Sequence, residues 1–170
     1  MVVRRRPLES DPIDEAIGHW TAAGWGDVAE GMALVTSVMR VQQLLVARVD
    51  AALRTHRLSF ARFEVLMLLL FSSRGSLPIG KIGERLQVHP ASVTNAVQRL
   101  AEAGMVERWT NPDDGRSTLV APTDAGRAVA LDAAATLNAE VFADVGLGPD
   151  DRRAALDMLA RWRHAYGDFE

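Results

Sequence analysis

The chain has 170 residues and a net charge of −3, enough length for one continuous core and too little for two independent enzyme domains. It contains no cysteine, which excludes disulfides, zinc-thiolate sites and thiol redox chemistry. The charge is unevenly spread: residues 28–63 carry five arginines against two carboxylates and residues 128–170 four arginines against eight, so the middle of the chain is the part able to approach phosphates.

Residues 1–10 read as a disordered basic arm without periodicity. Its arginines are followed by Pro-Leu-Glu-Ser-Asp, not an apolar run, and no window holds eighteen consecutive apolar residues. A soluble cytoplasmic protein with no membrane partner is expected. Asp11 and Pro12 supply an N-cap and a first-turn proline, and Ile13, Ile17 and Trp20 follow at helical spacing until Gly24-Trp25-Gly26 breaks the helix. A long helix is expected from about Val28 to His56, where Met32, Val35, Val38, Val41, Leu45, Val49 and Ala52 form a stripe that needs a partner helix. Ser59 can cap a helix from Phe60 to about Ser73 that is apolar all round between Val65 and Phe71.

Leu77 to Leu86 reads as a short helix, Gln87-Val88-His89 as a turn, and Pro90 opens a further helix ending at Gly104. The period then changes to two. Residues 105–121 read as one β-hairpin with Asn111 to Arg116 as its turn and Asp114 and Arg116 at its tip. Pro122-Thr123 starts a helical stretch to about Val145, and Gly146-Leu147-Gly148-Pro149 separates it from a last helix ending near Tyr166.

Helix, tight turn, helix and hairpin in this order make a mainly α chain with a small β-hairpin wing, a winged helix-turn-helix. In the helix that starts at Pro90, Val93, Val97 and Leu100 share one face, which turns Ala91, Asn95 and Gln98 outward with Ser92, Thr94 and Arg99 on the flanks. Small and amide-bearing side chains suit a major groove: Asn and Gln can bond adenine, Arg can bond guanine, and Ser or Thr adapts to base or phosphate. Taken alone, such a face is also an ordinary polar surface. An arginine at the hairpin tip can enter a narrow minor groove, and a nearby carboxylate can restrain it.

The chain resembles the multiple-antibiotic-resistance regulator (MarR) family of bacterial transcription factors over roughly Val28 to Ala165. The similarity is carried by Leu100-Ala-Glu-Ala-Gly-Met-Val-Glu-Arg, Asn111-Pro-Asp-Asp-Gly-Arg-Ser-Thr and Pro122-Thr-Asp-Ala-Gly-Arg. The family pattern Asp-Pro-x-Asp-x-Arg is matched by Pro112, Asp114 and Arg116, while Asn111 replaces the usual aspartate and His89 stands where a serine N-cap is common. The resemblance gives Arg116 the role of wing arginine and Asp114 that of its supporting carboxylate. It also implies a homodimer formed by N- and C-terminal helices. The resulting division is a basic arm at 1–10, N-terminal dimerisation helices with a possible ligand cleft at 11–56, a DNA-binding unit at 57–122 and C-terminal dimerisation helices at 123–170.

The extra N-terminal helix is similar to that of the urate-responsive branch of the family, which holds an anionic ligand with a tryptophan, a carboxylate and arginines. Trp20, Glu64 and Arg74 stand at or near those positions, whereas Ala96 replaces an arginine of that branch. Packing of Trp20 along the Ile13 and Ile17 stripe, and an ion pair between Glu64 and Arg74, are the structural alternatives. His19, His56, His89 and His164 have no metal-ligand spacing, and no nucleophile elbow or phosphate-binding glycine loop occurs, so neither an enzyme nor a cofactor is expected. The expected function is regulation of transcription at a pseudo-palindromic operator in double-stranded DNA, with a small aromatic or anionic ligand releasing a repressor. The alternative is a winged-helix protein-interaction module that does not bind DNA.

Overall fold

The structure is a computed structural model that describes residues 8–170; the first seven residues of the expected basic arm lie outside the described residues. Helix α1 (Pro12–Ala22) begins as the sequence requires, with Asp11 Oδ1 accepting the Ile13 N–H at 2.9 Å and Pro12 in the first turn. Gly24, at φ +86°, reverses the chain. Helix α2 (Gly26–Leu53) then runs back along α1, and the Trp20 and Trp25 rings meet edge to face with centroids 5.5 Å apart. A 3₁₀ turn at Arg54–His56 ends it, and Arg57 takes a left-handed conformation.

Only the last turns of α2 join the core of their own chain. Val49, Ala52 and Leu53 are buried, whereas Val28, Leu34, Met39 and Leu44 higher on the helix are exposed. By length and mean hydropathy alone, Gly26–His56 would suffice to cross a membrane.

Helix α3 (Phe60–Leu70) is capped twice: Ser59 Oγ accepts the Arg62 N–H, and Asp50 of α2 accepts the Phe60 N–H at 3.2 Å. It ends three residues before the sequence estimate of Ser73, because Ser72 to Gly75 turn toward a strand. A second correction concerns Leu77 and Pro78. They are not the start of a helix but a short strand, β1 (Leu77–Pro78), and helix α4 (Ile79–Leu86) begins after them. Helix α5 (Pro90–Glu102) follows and stops before Gly104, whose φ of +69° suits a glycine C-cap.

The hairpin is β2 (Val106–Asn111) with β3 (Asp114–Pro122), and β1 adds to its far side, so β3 is the centre of a three-stranded antiparallel sheet. Leu53, Leu66, Leu69, Ile82, Leu100 and Val120 are essentially inaccessible and join the helices to this sheet. Each such leucine contributes roughly 1.5–3 kcal/mol.

Helix α6 (Asp124–Leu137) starts with a Thr123 N-cap whose hydroxyl accepts the Gly126 N–H at 3.0 Å and donates to the Gly104 carbonyl at 2.8 Å. The Thr123 N–H donates to the Met105 carbonyl at 3.0 Å. Gly126 lies so close to that carbonyl that a β-carbon would fall 1.9 Å from its oxygen. The end of α5 and the start of α6 are thus one hydrogen-bonded joint. The helical stretch expected to reach Val145 passes into a π turn at Asn138–Phe142, and helix α7 (Pro149–Ala165) completes the chain.

Candidate nucleic-acid interface

Helix α5 presents two faces that follow its sequence. Val93, Ala96, Val97 and Leu100 are buried against the core, while Ala91, Ser92, Thr94, Asn95, Gln98 and Arg99 are exposed. His89 caps the helix in place of a serine, with its Nδ1 accepting the Ala91 N–H at 3.2 Å. That bond leaves the ring's Nε2 as the nitrogen free to donate outward. The Thr94 hydroxyl donates to the Pro90 carbonyl at 3.0 Å, so it meets an approaching partner as an acceptor. Asn95 makes no side-chain hydrogen bond among the described residues.

Ala91, Thr94, Asn95, Gln98, Arg99 and Glu102 line one shallow depression along this face. Glu102 was not among the residues singled out by sequence. Gln98 Nε2 donates to its Oε1 at 3.0 Å and Arg99 Nη1 to its Oε2 at 3.2 Å. The i,i+4 and i,i+3 spacings were the signal that could have identified it.

At the wing the turn itself is Pro112-Asp113, because Asn111 and Asp114 are cross-strand partners. Asp114 and Arg116 are therefore in β3, not at the tip. Thr110 pairs with Thr118, which leaves Gly115, Arg116 and Ser117 as a bulge with no partner on β2. Asp114 Oδ1 accepts the backbone N–H of Arg116 at 3.1 Å, so the carboxylate fixes the main chain of the bulge and leaves the guanidinium alone. Asn111 Nδ2 donates to Ser117 Oγ at 2.8 Å, and Ser117 Oγ donates to the Asp114 carbonyl at 3.1 Å. An aspartate at 111 would have no hydrogen to give Ser117, which explains how asparagine suits this site. The Arg116 side chain is exposed, and among the described residues no carboxylate pairs with it. Arg108 and Trp109 on β2 are also exposed.

The residues considered for a ligand are not joined by any described contact. Trp20 packs on Trp25. Glu64 is half-buried on α3, where desolvation raises its carboxyl above the usual glutamate range. Arg74 is exposed in the segment after α3, and neither it nor Glu64 forms an ion pair among the described residues. A cavity of about 410 Å³ lies elsewhere, lined by Arg48, Ala51, Ala52, Arg54, Thr55, Glu140 and Val141. Arg48 crosses it to donate to the Glu140 carbonyl at 2.7 Å.

Comparison with known proteins agrees with this geometry. The profile of the MarR family matches residues 58–118, from just before α3 to the middle of β3. Over 116 residues the chain is 31% identical to the HTH-type transcriptional regulator YdgJ of Bacillus subtilis, covering 66% of this chain and 68% of that one. Sco5413, a MarR family transcriptional regulator from Streptomyces coelicolor, superposes with a TM-score of 0.76 at 45% identity over 83% of this chain and 98% of its own. A mutant MarR from E. coli complexed with operator DNA shares the fold, with a TM-score of 0.71 at 22% identity over 79% of this chain and 96% of its own. The chain belongs to the MarR family and is a winged-helix, DNA-binding transcriptional regulator.

Proposed function

We propose that the chain is a homodimeric repressor that occupies a pseudo-palindromic operator and leaves it when a small aromatic or anionic ligand binds. The observation that carries this reading is the pairing of an exposed polar face on α5 with an exposed arginine on the wing bulge, one suited to base edges and the other to a narrow minor groove. Residues 57–122 are then the DNA-binding unit, with Ser92, Thr94, Asn95, Gln98, Arg99 and Arg116 as its contacts and Asp114 as support for the wing. Residues 11–56 and 123–170 form the dimer. Glu30, Arg40, Arg48 and Asp50 lie along the apolar helix, and charges there would be costly in lipid. A second copy in the cytoplasm is the better cover for its apolar side chains.

Ligand control has support from a fold neighbour at 23% identity, Bordetella bronchiseptica BpsR, whose DNA binding is regulated by 6-hydroxynicotinic acid. In this chain Trp20, Glu64 and Arg74 are the proposed ligand residues, assembled only if the dimer brings them together. The test is fluorescence anisotropy on DNA from upstream of the protein's own coding sequence and on scrambled DNA, over a range of salt. Salt-sensitive binding that prefers the native sequence, and weakens with small aromatic carboxylates, is expected. Equal affinity for both DNAs, or none for either, would refute the reading.

A further inference from the structure

Glu102 is an anomaly on a surface meant for DNA. It is the last residue of α5, where the helix dipole already disfavours negative charge, and it shares the depression lined by Asn95, Gln98 and Arg99. Its two oxygens are used separately, one by the Gln98 amide at 3.0 Å and the other by the Arg99 guanidinium at 3.2 Å. These are the same groups that a base edge and a phosphate would take. All of this lies at the surface, so the bonds exchange readily.

We propose that Glu102 is a specificity-determining residue that competes with DNA for Gln98 and Arg99. On a matching operator both lost bonds are replaced, Gln98 by a base edge and Arg99 by a phosphate. On other sequences Arg99 still finds a phosphate, but Gln98 finds no complementary edge, and the released carboxylate is left facing the anionic backbone. Glu102 therefore weakens binding to non-operator DNA more than binding to operator. The inference rests on the DNA-binding reading above.

The test is a salt titration of Glu102→Ala and Glu102→Gln on operator and scrambled DNA, repeated in a Gln98→Ala, Arg99→Ala background. Glu102→Ala is expected to tighten binding to scrambled DNA by about two- to five-fold per protomer, the equilibrium counterpart of an exposed ion pair, and binding to operator by less. The slope of log affinity against log salt should steepen by about one per protomer, because no displaced carboxylate is left in the complex to retain a cation. Glu102→Gln keeps an acceptor for Gln98 but not the ion pair, so it should steepen the slope while retaining more of the operator preference. In the double-alanine background Glu102→Ala should give a smaller gain, equal for operator and scrambled DNA, because only the repulsion of the carboxylate by the backbone remains. An unchanged operator preference and slope would overturn the proposal. So would a gain in the double-alanine background as large as that in the wild-type one, which would reduce Glu102 to simple charge repulsion. If wild-type protein binds no DNA, both readings fall; if it binds and the cycle is additive, only this one does.

Discussion

Arg116 and Asn95 are both exposed, yet they should fail differently when removed. Arg116 projects from a bulge whose backbone is held by Asp114, Asn111 and Ser117, so the root of its side chain is presented at a fixed place while the guanidinium stays free to reach DNA. Arg116→Ala should weaken operator and scrambled DNA together and make the salt slope shallower by about one per protomer, as read by anisotropy. Asn95→Ala should leave the slope alone and cost roughly 1–3 kcal/mol at one operator position only. Glu64 offers a different test, because its carboxyl is raised by burial. The folded state then binds a proton more tightly than the unfolded state, so stability falls as pH rises from the ordinary glutamate value of about 4.3 through the folded value. Glu64→Gln should raise the melting temperature at neutral pH, with the gain shrinking toward pH 4. A gain independent of pH would show that the ionised carboxylate is not the cause.

At the scale of elements, the joint between α5 and α6 has the least tolerance. Gly126→Ala places a methyl group against the Met105 carbonyl, and backbone cannot swing aside as a flexible side chain does. The cost should be about 3 kcal/mol, the upper part of the usual range for overpacking, seen as a lower urea midpoint with an unchanged slope. A loss below about 1 kcal/mol would mean that the joint opens easily. The helices were legible because their signals are local: Asp11 and Ser59 cap where the sequence puts a cap, Pro90 opens α5, and α6 starts beside Pro122-Thr123. The outward face of α5 was legible for the same reason, since helical spacing alone turns Asn95 and Gln98 away from Val93 and Val97. Strand β1 was hidden, because two residues carry no periodicity and their partners, Leu119 and Val120, lie far along the chain. The wing bulge reads as part of the turn in the sequence because Gly115 directly follows Asn111, Pro112, Asp113 and Asp114, a composition that fits either. Glu102 was read only as part of a family signature; its role depends on where two neighbouring side chains point.

For the whole molecule the decisive fact is how little the outer helices bury. Helices α1 and α7 contain no buried residue, and Leu156 on α7 is 62% exposed. A second copy is the proposed cover, so folding and association should be one process. The melting temperature should then rise with protein concentration, and sedimentation at micromolar concentration should show no folded monomer. A concentration-independent melt with a monomer in the centrifuge would rule out the obligate dimer.

The joint of Thr123, Gly126 and Met105 couples the start of α6 to the end of α5, and on the proposed reading it lets α6 act as a lever arm. Its 14 residues span roughly 21 Å at 1.5 Å each. If the joint stays closed, pivoting α6 by about 10° about its far end would carry its base, with the end of α5, some 4 Å sideways, about a third of the width of a major groove. In the proposed dimer, a ligand lodged among the outer helices would then need no contact with DNA to throw two such heads out of step with their grooves. A nudge at the handle suffices.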